Sequence, residues 1–118
     1  MFEIDMSYLP ENFEYSNELI KVIELGLLNI NPWFILNNSD IIKNRYDGMK
    51  KRYPERVLIP FAQRLDNDDV ACFEPNNGGI VQIIHDFSSP GYEQRETYNT
   101  FWDWFKSAIN DMIDFDEF

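Results

Sequence analysis

The sequence predicts an α+β fold, on three observations. Amphipathic segments come first, with one short β-branched run between them. A meander of three extended segments follows, with a strong turn signal between the last two, and an aromatic amphipathic segment closes the chain. Grouping helices and strands in blocks, rather than alternating them strictly, points to helices packed on an antiparallel or mixed sheet. The 118 residues match one domain over 1–118, a size that buries roughly two-thirds of its unfolded surface. Apolar residues make up 44% and aromatics 16% of the chain, whereas a disordered chain of high charge is poor in aromatics.

The lead-in LPENFEYS (9–16) is polar and aromatic. Ser16 or Asn17 then caps a helix expected over 17–28, with Leu19, Ile20, Val22, Ile23 and Leu27 on its apolar side. Gly26 weakens this helix near its end, and NINP (29–32) closes it. WFIL (33–36) is aromatic and β-branched, a strand. NNSD (37–40) offers N-caps for a second helix over about 40–52. Ile42, Tyr46, Met49 and Tyr53 then share one face, and Pro54 ends the helix.

The middle of the chain is extended. RVLIPFAQR (56–64) contains Pro60, which suits an edge strand or a bulge. DVACFE (69–74) and GIVQIIHDF (79–87) flank PNNGG, a hairpin signal. Pairing Glu74 with Ile80 sets Phe73 opposite Val81, Ala71 opposite Ile83 and Asp69 opposite His85. That face is apolar until its end and is expected to be the core side. The other face carries Val70, Cys72, Glu74, Ile80, Gln82, Ile84 and Asp86. SSPGYEQRE (88–96) is expected to be a polar loop. Thr100 and Asp103 then box the start of a last helix. Its stripe is Phe101, Phe105, Ala108 and Met112, with Trp104 and Ile109 beside it, and DFDEF (114–118) is an acidic tail.

Charge narrows the function classes. The formal net charge is −11, from 21 acidic and 10 basic residues. Such a field repels nucleic acid and anionic membrane and favours a basic partner. A single cysteine, Cys72, excludes an internal disulfide and requires no oxidising compartment. The first residues show no basic n-region or apolar h-region, and no apolar stretch reaches the roughly 18 residues of a spanning helix. A cytoplasmic location is expected.

Several motifs invite chemistry. LDNDDVACFE (65–74) concentrates three aspartates, but it fails as an EF-hand. Counted from Asp66, the fifth position is Val70, the sixth Ala71 and the twelfth Asn77, where the loop needs an oxygen ligand, glycine and a bidentate carboxylate. A turn between strands is expected, because Asp and Asn side chains bond their own backbone there. A looser calcium site of Asp66, Asp68 and Asp69 stays open. His85, the only histidine, would be oriented by Asp69, and Cys72 falls on the opposite face, against a Cys–His dyad. One histidine and one cysteine do not make a four-ligand zinc site, and no phosphate loop or nucleophile elbow is present. No cofactor is implied. Residues 43–64 hold seven of the ten bases, and a solvated helix face complementing the helix dipole is expected there. The aromatic stripe of FWDWFKSAI is expected to be core, with Trp102 off the stripe and partly exposed.

Three stretches taken in order, YPERVLIPFAQRLDNDDVACFE, IVQIIHDFSSPGYE and FWDWFKSAINDMI, resemble the SUKH superfamily. That superfamily groups a yeast cell-wall-synthesis regulator with bacterial immunity proteins. The shared pattern is an IPFA-like strand, an aspartate-bearing turn, two strands about a turn, and a closing aromatic helix, here Thr100, Phe101, Trp104 and Phe105; it covers about residues 53–113. Leu9-Pro10 fits the family's front, but the N-G-G expected early stands instead at 77–79. The resemblance implies an α+β fold and a non-enzymatic role, binding and neutralising a toxin that is often a nuclease. Clustered charge at the strand ends then marks Asp66, Asp68, Asp69, Glu74, Asp86 and Glu93 as contact candidates, with Tyr92 or Trp102 as aromatic anchors. The rivals are a regulatory adaptor without a toxin partner, a small hydrolase using His85, and a calcium-binding module.

Overall fold

A computed structural model describes residues 6–11, 13–75 and 80–115. The PNNGG turn beyond Pro75 and the tail beyond Phe115 lie outside the described residues. The elements run α1 (Asn17–Glu24), β1 (Asn29–Ile30), β2 (Trp33–Ile35), α2 (Ser39–Arg52), β3 (Ile59–Arg64), β4 (Asp69–Glu74), β5 (Ile80–His85), β6 (Gln94–Tyr98) and α3 (Phe101–Asp114). The six strands form one antiparallel sheet in sequence order. The fold class is α+β, as the sequence predicts.

Local chemistry sets the helix ends. The Ser16 side chain accepts from the Leu19 amide and caps α1. The helix ends at Glu24, four residues short of the expected 28, because Gly26 adopts φ +76°. The Gly26 amide then donates to Ile23 O and the Leu27 amide to Val22 O. This is a left-handed glycine stop, and it leaves Leu27 exposed rather than on the apolar side. Asn38 caps α2 through bonds from the Asp40 and Ile41 amides, and Thr100 caps α3 through the Asp103 amide.

The hairpin register is the expected one, from Asp69 opposite His85 to Glu74 opposite Ile80. Pro60 sits at a bulge in β3, an interior strand, where the register shifts between Pro60 and Ala62. The bulge lets Ile59, Phe61 and Ala62 all join one core with Ala71, Phe73, Val81 and Ile83, covered by Leu19 and Val22 of α1 and Phe101, Trp104 and Ala108 of α3. Phe61 is the hub, stacked on Phe73 at 4.5 Å and edge-on to Trp104 at 4.9 Å.

Two expectations change. The meander is longer than three strands, because residues 94–96 of the expected loop form β6 with Thr97 and Tyr98 and pair with β5, and the 33–35 strand joins the same sheet. The second face of the hairpin is also covered. Met49 of α2 and Tyr53, the residue capping its C-terminus, pack there on Leu58, Val70, Cys72 and Ile84. The sheet is therefore a middle layer, with α1 and α3 on one side and α2 on the other.

Candidate functional site: an acidic sheet end and an inner arginine network

The contact candidates divide into two groups. Glu74, Asp86 and Glu93 are inside the protein, at 5%, 1% and 5% exposure. Asp86 accepts from Arg52 Nε and Nη2 at 2.7 Å each, from Arg45 Nη1 at 3.0 Å and from the Phe87 amide at 2.8 Å. Arg56 spans Glu74 and Glu93, donating to Glu74 at 2.9 and 3.0 Å and to Glu93 at 2.8 Å. Gln82 donates to Glu74 at 3.0 Å, and the Gly91 amide to Glu93 at 2.7 Å. A buried carboxylate needs such partners to remain charged.

The basic stretch is accordingly not only a solvated face. Lys50 and Lys51 are exposed, whereas Arg45, Arg52 and Arg56 turn inward onto the sheet. Burial pushes the Asp86 carboxyl up, but bonds from Arg52, the Phe87 amide and Arg45 outweigh it and hold the group below the usual carboxylate range. Glu93 follows the same pattern: burial raises it, while Arg56 and backbone amides bring it below its ordinary value. These three acids are bound internally and are withdrawn from the contact surface expected for them.

The aspartate knot stays outside. Residues 65–68 are a bend between β3 and β4, and the Asn67 side chain accepts from the Asp69 amide at 2.8 Å. It is the turn that the residue types predict. Asp66 receives a fork from Arg64 at 2.8 and 2.9 Å, which holds its carboxyl below the usual range against a smaller effect of burial. Asp68 is exposed. Asp69 accepts from His85 Nδ1 at 2.7 Å, since a carboxylate has no proton to give.

These carboxylates aim at different partners, and among the described residues no three His, Cys, Asp or Glu side chains gather to hold a metal ion. Cys72 lies in the core of the second face, with burial pushing its thiol far up. His85 projects from the first face at the sheet end, so the two groups do not meet.

Two acids not anticipated from the sequence join the knot. Asp111 of α3 accepts from Trp33 Nε1 at 3.0 Å and Arg64 Nη1 at 3.3 Å. With Asp69 and Glu96 of β6 it lines a cleft of about 170 Å³ between α3 and the sheet, walled by Trp33 and Trp104. The last turn of α3 contains no basic residue. Acids there oppose the helix dipole, so they stand at a stability cost. The signal for Asp111 lay in its helical position alone, and Glu96 required β6 to be recognised.

The aromatic candidates are divided as well. Tyr92 is 75% exposed, in the loop that leaves the sheet beside the knot, where the Asp86 amide donates to Asp68 O. Trp102 is 38% exposed, but it lies in the first turn of α3, away from Asp111 in the last. Among the described residues no helix is long and apolar enough to cross a membrane. Comparisons with known protein families, curated proteins and solved structures find no match to this chain.

Proposed function

We propose that this chain is a cytoplasmic, protein-binding immunity protein that neutralises a basic toxin domain, of nuclease type, by direct contact through the acidic sheet end. One observation carries the reading: Asp66, Asp69 and Asp111 surround a single guanidinium, Arg64, with Glu96 lining the same cleft and exposed Asp68 in the adjoining turn. Inward pairing of Arg45, Arg52 and Arg56 removes cations that would otherwise dilute the outer field. Nuclease surfaces that hold polyanions are basic, and opposite fields accelerate encounter. The cleft has room for the end of one lysine or arginine side chain, and the exposed Tyr92 is the candidate aromatic contact. The order of SUKH-like stretches supports the same role, with no reaction catalysed and no cofactor used.

The test is retention of partners from the native lysate on the tagged chain, read by mass spectrometry with a salt gradient. A near-stoichiometric basic protein that salt releases, and that a gene beside this one encodes, supports the reading. Recovery of cell-wall or signalling proteins instead would favour a regulatory adaptor and contradict the immunity role.

A further inference from the structure

On the α2 side of the sheet, a depression of about 290 Å³ is lined by Ile41, Asn44, Arg45, Gly48, Arg52 and Phe87. We infer that it binds a monocarboxylate with a small apolar or aromatic tail, the carboxylate on Arg45 and Arg52 and the tail against Phe87 and Ile41. This inference is independent of the proposed toxin contact.

Charge is the first reason. Arg45 and Arg52 converge on one carboxylate, Asp86, so at this depression two positive charges share one direct counter-charge. Among the described residues, Arg45 Nε and Arg52 Nη1 donate to no acceptor. The nearby Asp47 is engaged by Lys43 at 2.8 Å. A net charge of −11 over the molecule disfavours a polyanion, while one surplus guanidinium charge suits one carboxylate, which it can meet with charge-assisted hydrogen bonds.

Backbone strain is the second. Phe87 has φ +68°, a left-handed conformation rare for a bulky side chain, yet the residue is 63% exposed. One ring face lies against the Arg52 guanidinium, 4.1 Å from the ring centre. Left-handed strain at non-glycine residues clusters at functional positions such as ligand clamps. Ile41, also exposed at the rim, supplies a second apolar contact.

The third is the room that Gly48 leaves. A Cβ there would stand 2.9 Å from Arg52 Nη2 and 3.1 Å from Nη1. A helix-interior glycine is otherwise unfavourable, and here it lets the guanidinium lie along the helix at the floor of the depression.

The carboxylate could belong to a free acid or to a peptide C-terminus, and the probes separate the two. The full chain is titrated with 3-phenylpropionate, 3-phenylpropionamide, and Gly-Gly-Phe with a free or amidated end, followed through backbone amide shifts by NMR. A ligand of this size is expected to bind with a Kd on the order of millimolar, shifting Asn44, Arg45, Gly48 and Phe87. The amides should bind about tenfold more weakly, for loss of the charge-assisted bonds. Binding of the free acid alone identifies a small metabolite-like ligand, and binding of the free tripeptide as well identifies a chain terminus; either supports the site. Phe87→Gly should raise Tm, by relieving the left-handed strain, while weakening 3-phenylpropionate binding several-fold. Saturation by neither acid, equal binding by the amides, or unchanged affinity in Phe87→Gly overturns the inference.

Discussion

Arg52 grips Asp86 through two hydrogen bonds of 2.7 Å, tying the last turn of α2 to the end of β5. The same contact removes an acid and a base from the open surface. It explains how a chain with seven bases in residues 43–64 presents its strongest acidic cluster at the far side of the sheet. Four of those bases pair with carboxylates that the fold brings to them: Arg45 and Arg52 with Asp86, Arg56 with Glu74 and Glu93, and Arg64 with Asp111.

Asp86→Asn should therefore be among the costliest single changes outside the apolar core. It leaves two guanidiniums, about a quarter exposed, without their counter-charge. Breaking such a pair costs about 3 kcal/mol, the low end for buried ion pairs because the arginines retain some water. Urea unfolding at neutral pH measures it. A loss below about 1 kcal/mol would show that the network adds little stability.

Acid should unfold the protein by the same route. Asp86 and Glu93 have folded-state values below their ordinary 3.8 and 4.5. Their contribution is complete above those ordinary values and is lost as pH falls through the lower folded ones. Stability should thus be insensitive to these two groups near neutrality and decline below about pH 4.5. In Asp86→Asn the acid slope should be shallower, as seen by circular dichroism across the same range.

Phe61→Ala tests the core hub. Phe61 is fully buried among Phe73, Phe101 and Trp104, and the neighbouring rings are too large to close the space. A loss of about 3–5 kcal/mol is expected, with Trp104 fluorescence shifted to the red. A loss under about 1.5 kcal/mol would mean that the bulged β3 repacks freely.

Gly48→Ala should not stabilise α2, although replacing a helical glycine ordinarily contributes about 1 kcal/mol. The new methyl would collide with a guanidinium that Asp86 holds in place. In the Asp86→Asn background the collision is relieved, and the ordinary gain should return. A full gain in the wild-type background would show that Arg52 moves aside at no cost.

Much of the central hairpin was legible in the sequence. Alternation in DVACFE and GIVQIIHDF specified the register, because a slip of one residue would have turned Phe73 and Ile83 away from the core. The helix caps at Ser16, Asn38 and Thr100 were legible for the same local reason. β6 was not: QRETY is exposed along all but its last residue, so it carries no burial pattern. Its carbonyls are instead covered locally, with Gln94 Nε2 donating to Arg95 O and Glu96 O and the Arg95 guanidinium to Gln94 O. The covered second face was hidden as well. Glu74, Gln82 and Asp86 break its apolar pattern, and the arginines that neutralise the two acids lie 18 to 41 residues away. The site was half legible, since the knot's charge and turn chemistry are local while Glu96 and Asp111 join it only through the fold.

The central claim is that the acidic sheet end recruits a basic protein. The most direct measurement is the association rate between this chain and its captured partner, at low and high salt, for wild type and for Asp66→Lys/Asp68→Lys/Glu96→Lys. Each of these side chains is exposed, so the fold should survive. The expected result is an association slowed about tenfold or more at low salt, with a much flatter salt dependence. An unchanged rate and an unchanged salt slope would contradict the claim and place recognition elsewhere on the molecule.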